Sequence, residues 1–147
     1  MRTFKSLLAG LGGALTLNFI HETVRHFDPA APRVDKLGEQ ALSKSMVNIG
    51  INPPEGNQLY QATLAGDILS NALYYSLIDG KNKTRYWLKG GLFGLAAGIG
   101  ALSLPEPLGL DSEPVAGSTK RKNLTVLYYV AGGLATAGIL HLLNKKR

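Results

Sequence analysis

Residues 124–143 read LTVLYYVAGGLATAGILHLL, a run of 20 positions without Asp, Glu, Lys or Arg. Lys120, Arg121 and Lys122 precede it, and Lys145, Lys146 and Arg147 follow it. At a rise of about 1.5 Å per residue, ~20 apolar residues in a helix match a hydrocarbon core of about 30 Å. An apolar block of this length between cationic flanks is difficult to place in a soluble domain, and it predicts a membrane-spanning helix.

The same segregation recurs along the chain. Mean hydropathy is only +0.04 and 45% of the residues are hydrophobic. The apolar residues nevertheless fall in blocks, with most of the charges between them. The segment 86–104 opens on Tyr86 and Trp87, as residues of an aromatic belt would. It carries Lys89 where the side chain can snorkel to the headgroups, and it stops at Pro105 and Pro107. The segment 59–78 has spanning length but places Asp67 near its middle. Its seven Leu and Ile residues contribute roughly −2 to −4 kcal/mol to insertion, against about +3 for a central Asp. It is therefore predicted to span with its polar face inward, supported as one half of a hairpin with 86–104 across the turn 79–85. At the N-terminus, Arg2 and Lys5 lead into an apolar run from Leu7 to Ile20, which has the charge and hydropathy profile of a signal peptide. No small-x-small cleavage pattern follows. The run crosses a bilayer only if its helix continues through His21, Glu22 and Arg25 to Phe27, before Pro29.

These observations predict an all-α integral membrane bundle forming one transmembrane domain over residues 1–147. Its four helices are placed at about 4–27, 59–78, 86–104 and 124–143, with polar connections at 28–58, 79–85 and 105–123. A short interfacial helix is expected over 34–48, whose apolar positions cover a broad arc. The 105–122 loop, with its Pro, Gly and Ser, is expected to lack regular structure.

Four spans put both ends on one side. With Lys81, Lys83, Arg85 and Lys89 that side holds nine Lys and Arg residues against seven on the other. This excess places the termini in the cytoplasm of a cell inner (plasma) membrane, the mitochondrial inner membrane being the alternative. The net charge of +6 flanks apolar segments and suits anionic headgroups, so no nucleic-acid partner is predicted. The chain has no cysteine, which excludes disulfides and thiolate sites.

Two residue patterns stand out. Asn18, His21, Glu22 and Arg25 recur at i, i+3, i+4 and i+7, one face of a helix. Asp67, Asn71 and Tyr74 line a polar stripe on the 59–78 helix. Neither face can meet lipid cheaply, so the two are expected to meet each other, pairing Asp67 with Asn18, His21 or Arg25 and drawing hydrogen bonds from Asn71 and Tyr74. The second pattern is Gly90, Gly94 and Gly98 at i+4 spacing, with Gly133 and Ala137 in the last helix. Such small-residue faces favour close helix packing, here within the chain. Gly10, Gly12 and Gly13 follow no strand and do not form a dinucleotide loop.

No catalytic set, cofactor or metal site is predicted. His21-Glu22-Thr23-Val24-Arg25 lacks the second histidine of the zinc motif His-Glu-x-x-His. A Ser70, His21 and Asp67 triad has no nucleophile elbow around the serine. The run Ala31-Pro32-Arg33-Val34-Asp35 is distinctive without pointing to an activity. The expected partners are the lipid bilayer and other membrane subunits or further copies of the chain. The expected function is a non-catalytic accessory or structural subunit. The alternatives are an oligomeric ion, proton or small-solute channel or transporter, and a membrane-embedded lipid-modifying enzyme.

Overall fold

A computed structural model describes residues 2–145, so the counted Lys146 and Arg147 lie outside the described residues. The chain is all-helical: α1 (Arg2–Phe27), α2 (Val34–Asn48), α3 (Gly56–Ser76), α4 (Tyr86–Ser103), α5 (Glu113–Ala116) and α6 (Thr119–Leu143), with a 3-10 turn at Lys83–Arg85. The first helix runs unbroken through His21, Glu22 and Arg25. It ends where Asp28 turns the chain, its Oδ1 accepting from the Ala30 amide at 2.9 Å. α2 occupies the stretch expected of it.

The 105–122 segment is more ordered than its composition suggests. It contains α5, and α6 starts at Thr119, five residues before the apolar run. Ser118 caps α6 by accepting from the Arg121 amide at 3.1 Å. Cations in a first turn oppose the helix dipole, but here two of the three have an acid beside them. Lys120 reaches Asp28 at 2.5 Å and Arg121 reaches Glu113 at 2.6 Å.

α1 lies between α3 and α6, and α4 packs on the other side of α6. The two described ends of the chain and the 79–85 turn gather at one end. There Lys5 Nζ donates to Leu143 O at 2.7 Å, Lys83 Nζ to Asn144 O at 2.7 Å, and Arg2 Nε to Asp79 Oδ2 at 3.1 Å. Lys89 reaches back to the same turn, its Nζ 3.5 Å from Asp79 O. α2, α5 and the 104–111 turn gather at the opposite end. Gln40 clasps the Asp111 backbone and Lys44 donates to Leu108 O at 2.7 Å.

The α3–α4 hairpin expected from the short turn does not close. α3 leans on α1 and α4 on α6. Across the gap, Tyr74 Oη donates to Phe93 O at 2.9 Å and its ring lies 5.4 Å from that of Phe93. The reason is backbone access. A Cβ on Gly94 would stand 2.5 Å from Val130 Cα, and one on Gly98 2.8 Å from Val126 Cα. On α1, a Cβ at Gly10 would run into Ala72 O of α3, and one at Gly13 into Thr136 of α6. The glycines of α1 and α4 thus choose the neighbours.

The interior is partly polar. His21, Thr63, Asn71, Thr125 and Thr136 are buried together with Tyr75, Tyr86 and Tyr128. Tyr75 Oη donates to Tyr129 O at 2.7 Å. Tyr75→Phe should cost about 1 kcal/mol, the net worth of a neutral hydrogen bond, measured by steric-trap unfolding in bicelles. The outward faces are apolar: Phe4, Leu11 and Phe19 on α1, Leu69, Leu73 and Leu77 on α3, Leu88, Leu92 and Ile99 on α4, and Leu127 and Leu142 on α6 are all exposed.

Two helices, α1 and α6, are long and apolar enough to cross a membrane by length and composition alone. α3 is held below that standard by Asp67 and its neighbouring amides. α4 is diluted by five glycines and Lys89 in 18 residues, a rise of about 27 Å.

Candidate functional site

Two polar groups occupy the α1–α3 interface, and a third element, α2, joins them. The inner group forms around Asp67. Asn18 Nδ2, one turn beyond the middle of α1, donates to Asp67 Oδ2 at 2.9 Å, and Asn71 Nδ2 donates to Asp67 Oδ1 at 2.9 Å. Both carboxylate oxygens thus face amide donors. Of the partners expected for Asp67, it is Asn18 that pairs with it. Arg25 bonds elsewhere, and the Tyr74 hydroxyl is spent on Phe93 O.

The outer group lies toward the α2 end. Glu22 accepts from Arg25 Nε at 2.9 Å and from Tyr60 Oη at 2.9 Å. Asp35, at the start of α2, accepts from Arg33 Nε at 2.9 Å, Arg33 NH2 at 2.6 Å and Arg25 NH1 at 3.2 Å. Arg25 also lies over the Tyr60 ring, 5.7 Å from its centroid. His21 is buried between the two groups, its Nδ1 3.5 Å from Glu22 Oε1 and its Nε2 3.5 Å from Asp35 Oδ1. Its ring meets Tyr128 of α6 edge-on at 5.9 Å.

Electrostatics follow the geometry. Burial alone would raise the pKa of Asp35. The Arg33 hydrogen bonds and the neighbouring His21 outweigh it and hold the carboxyl well below the usual range. In return, Asp35 raises the Arg33 guanidinium. Asp28 is lowered by its Lys120 partner and the Ala30 amide.

Arg33 and Asp35 belong to the site although their spacing in the sequence assigns them no role. The signal was present in the Ala31–Asp35 run, because Asp35 sits in the first turn of α2, where a carboxylate suits the dipole. What sequence could not supply is that α2 folds back onto α1 and α3.

A small cavity of about 20 Å³ is enclosed by both groups, lined among others by Asn18, His21, Asp35, Thr63 and Asp67. His21 Nε2 and Thr63 Oγ1 are buried there without a hydrogen-bond partner. The volume is that of about one water molecule. A much larger cleft, about 500 Å³, separates α3 from α4 and reaches Asp67, Ser70 and Asn71 from the other side.

No known family, curated protein or solved structure matches the chain.

Ser70 Oγ donates to the Asp67 carbonyl of its own helix at 3.2 Å, and His21 contacts Glu22 and Asp35. A Ser70–His21–Asp67 relay is not assembled. Among the described residues, no three His, Asp or Glu side chains converge as metal ligands. The packing residues Gly90, Gly94, Gly98, Gly133 and Ala137 line the α4–α6 contact, where a Cβ on Gly90 would stand 2.5 Å from Gly133 O and 2.9 Å from Ala137 Cβ.

Proposed function

We propose that the chain is a four-span integral membrane protein acting as a non-catalytic accessory or structural subunit of a larger membrane complex, with both termini cytoplasmic in a cell inner (plasma) membrane. The observation that carries this reading is the inversion of the molecule. Exposed leucines, isoleucines and phenylalanines ring all four long helices, and the polar side chains are turned inward. Soluble monomers rarely expose contiguous apolar surface on this scale, whereas polar groups in a bilayer are driven to the bundle interior. α3 and α4 belong in the membrane on this argument, because their outer faces continue the belt of α1 and α6.

A subunit role is favoured over a pore within one chain. The polar α1–α3 interface holds a cavity of only about 20 Å³, glycine contacts seal the α1–α3, α1–α6 and α4–α6 interfaces, and the Tyr74–Phe93 bridge crosses the α3–α4 cleft.

The lack of native cysteine makes topology directly measurable. Cysteines at Lys81 and Thr3 should react with an impermeant maleimide from one side, and cysteines at Lys36 and Ser112 from the other. Labelling of Lys81 and Lys36 positions from the same side would remove the α3 span. Native mass spectrometry after mild-detergent extraction should then return a heteromeric complex of fixed stoichiometry. A homo-oligomer alone would overturn the accessory role in favour of transport.

A further inference from the structure

We propose that the cleft between α3 and α4 binds a lipophilic amine, with its cationic head on Asp67 and its hydrocarbon chain in the slot. The cleft is bounded on three sides. Tyr129 of α6 forms its floor, the Tyr74–Phe93 bridge closes one end, and α2 with the 104–110 turn covers the other. The remaining side opens laterally, which on the four-span reading is toward lipid.

The walls differ in a way that suits such a ligand. α4 contributes Ala96, Ala97, Gly100 and Ala101, so that wall is smooth and carries nothing larger than a methyl group. α3 contributes Asp67, Ser70 and Asn71. Asp67 has two amide donors and no ion-pair partner among the described residues, since Arg25 and Arg33 are committed to Glu22 and Asp35. A carboxylate accepts about four hydrogen bonds and is costly in a low-dielectric site without a counter-charge. A protonated amine supplies both the missing donors and the charge.

The volume suits a small molecule: about 500 Å³ is within the ~300–1,000 Å³ of small-molecule sites.

The test uses the full chain in zwitterionic detergent with hexadecylamine, hexadecanol and hexadecanoic acid as matched probes, read by native mass spectrometry. One hexadecylamine should bind per chain, at least tenfold tighter than the alcohol, with no binding of the acid. Asp67→Asn should weaken the amine at least tenfold. Ala96→Phe, at an exposed position of the α4 wall, should block all binding and leave the fold unchanged. Ser70→Phe provides the same block from the α3 wall. Equal binding of amine and acid, or amine binding unchanged in both blocking variants, would overturn the proposal. So would a polypeptide that co-purifies with the native chain and is lost in Ala96→Phe, since the slot would then hold a helix. The inference rests on the four-span reading, but the two fail separately, because cysteine labelling tests the spans and amine binding in detergent tests the slot.

Discussion

Gly133→Leu should abolish the folded bundle, whereas Gly91→Leu should leave it intact. At Gly133 even a Cβ would overlap the Gly90 carbonyl oxygen and stand 3.1 Å from the Gly94 amide nitrogen. The obstacle is backbone on the facing helix, which cannot rotate away as a side chain can. Adding methylenes to a packed interior costs about 1–3 kcal/mol when neighbours can adjust. Here α4 would have to move off α6, and the Gly90, Gly94 and Gly98 contacts would open together. Against a total stability of about 5–15 kcal/mol, that loss is decisive. At Gly91, on the facing helix α4, an added Cβ meets nothing within 4 Å. The measurement is the fraction of protein eluting as a monodisperse peak with native near-ultraviolet tyrosine dichroism. Equal recovery of the two variants would show that the α4–α6 contact does not hold the bundle together.

The second large effect is expected at Asp35. Its side chain is only 7% exposed and serves both Arg25 and Arg33. Asp35→Asn removes the charge that the two guanidinium groups share. Breaking a fully buried pair costs about 3–5 kcal/mol. Arg25 and Arg33 retain 26% and 37% of their exposure, so solvent screening reduces this to roughly 2 kcal/mol. The effect carries a pH signature. A carboxyl held below its unfolded value of about 3.9 stabilises the native state fully above that value, and the contribution is lost as pH falls through the folded pKa. The stability gap between the native chain and Asp35→Asn should therefore be constant from neutral pH down to about 5 and narrow below ~4. Unfolding by SDS titration across that range reads it. A gap independent of pH would mean that Asp35 acts through shape and not through charge.

The contrast between these two sites separates what was legible in the sequence from what was not. Gly90, Gly94 and Gly98 announce a smooth face by spacing alone, and Gly133 with Ala137 a shorter one, but neither names the helix that it meets. Gly10 and Gly13 were just as visible but carried no sign of their use, because a single helix does not say which neighbour it will approach. Asp67 was recognisable as a residue that lipid would reject. Its pairing with Asn18 instead of Arg25 or His21 depended on the register between α1 and α3, set by the Gly10–Ala72 contact. Arg33 and Asp35 sit in a short helix whose amphipathic pattern is broad, so periodicity could not reveal which face it buries.

The positions of the long helices, though not α5 or the early start of α6, were determined by the sequence itself, through physics that acts within a few turns. Apolar runs of spanning length, prolines at 29, 32, 53, 54, 105 and 107, and small residues at fourfold spacing are local constraints that hold in any tertiary arrangement. They specified an all-α chain, the α2 segment and the continuation of α1 to Phe27. Tertiary structure alone decided that α3 pairs with α1 and not with its sequence neighbour α4, that α2 closes an ion-pair cluster over His21, and that a cleft remains beside Asp67. Those outcomes turn on how closely two backbones can approach. That distance is fixed by pairs of residues far apart in the chain, such as Gly94 with Val130 and Gly13 with Thr136, and no local pattern encodes it.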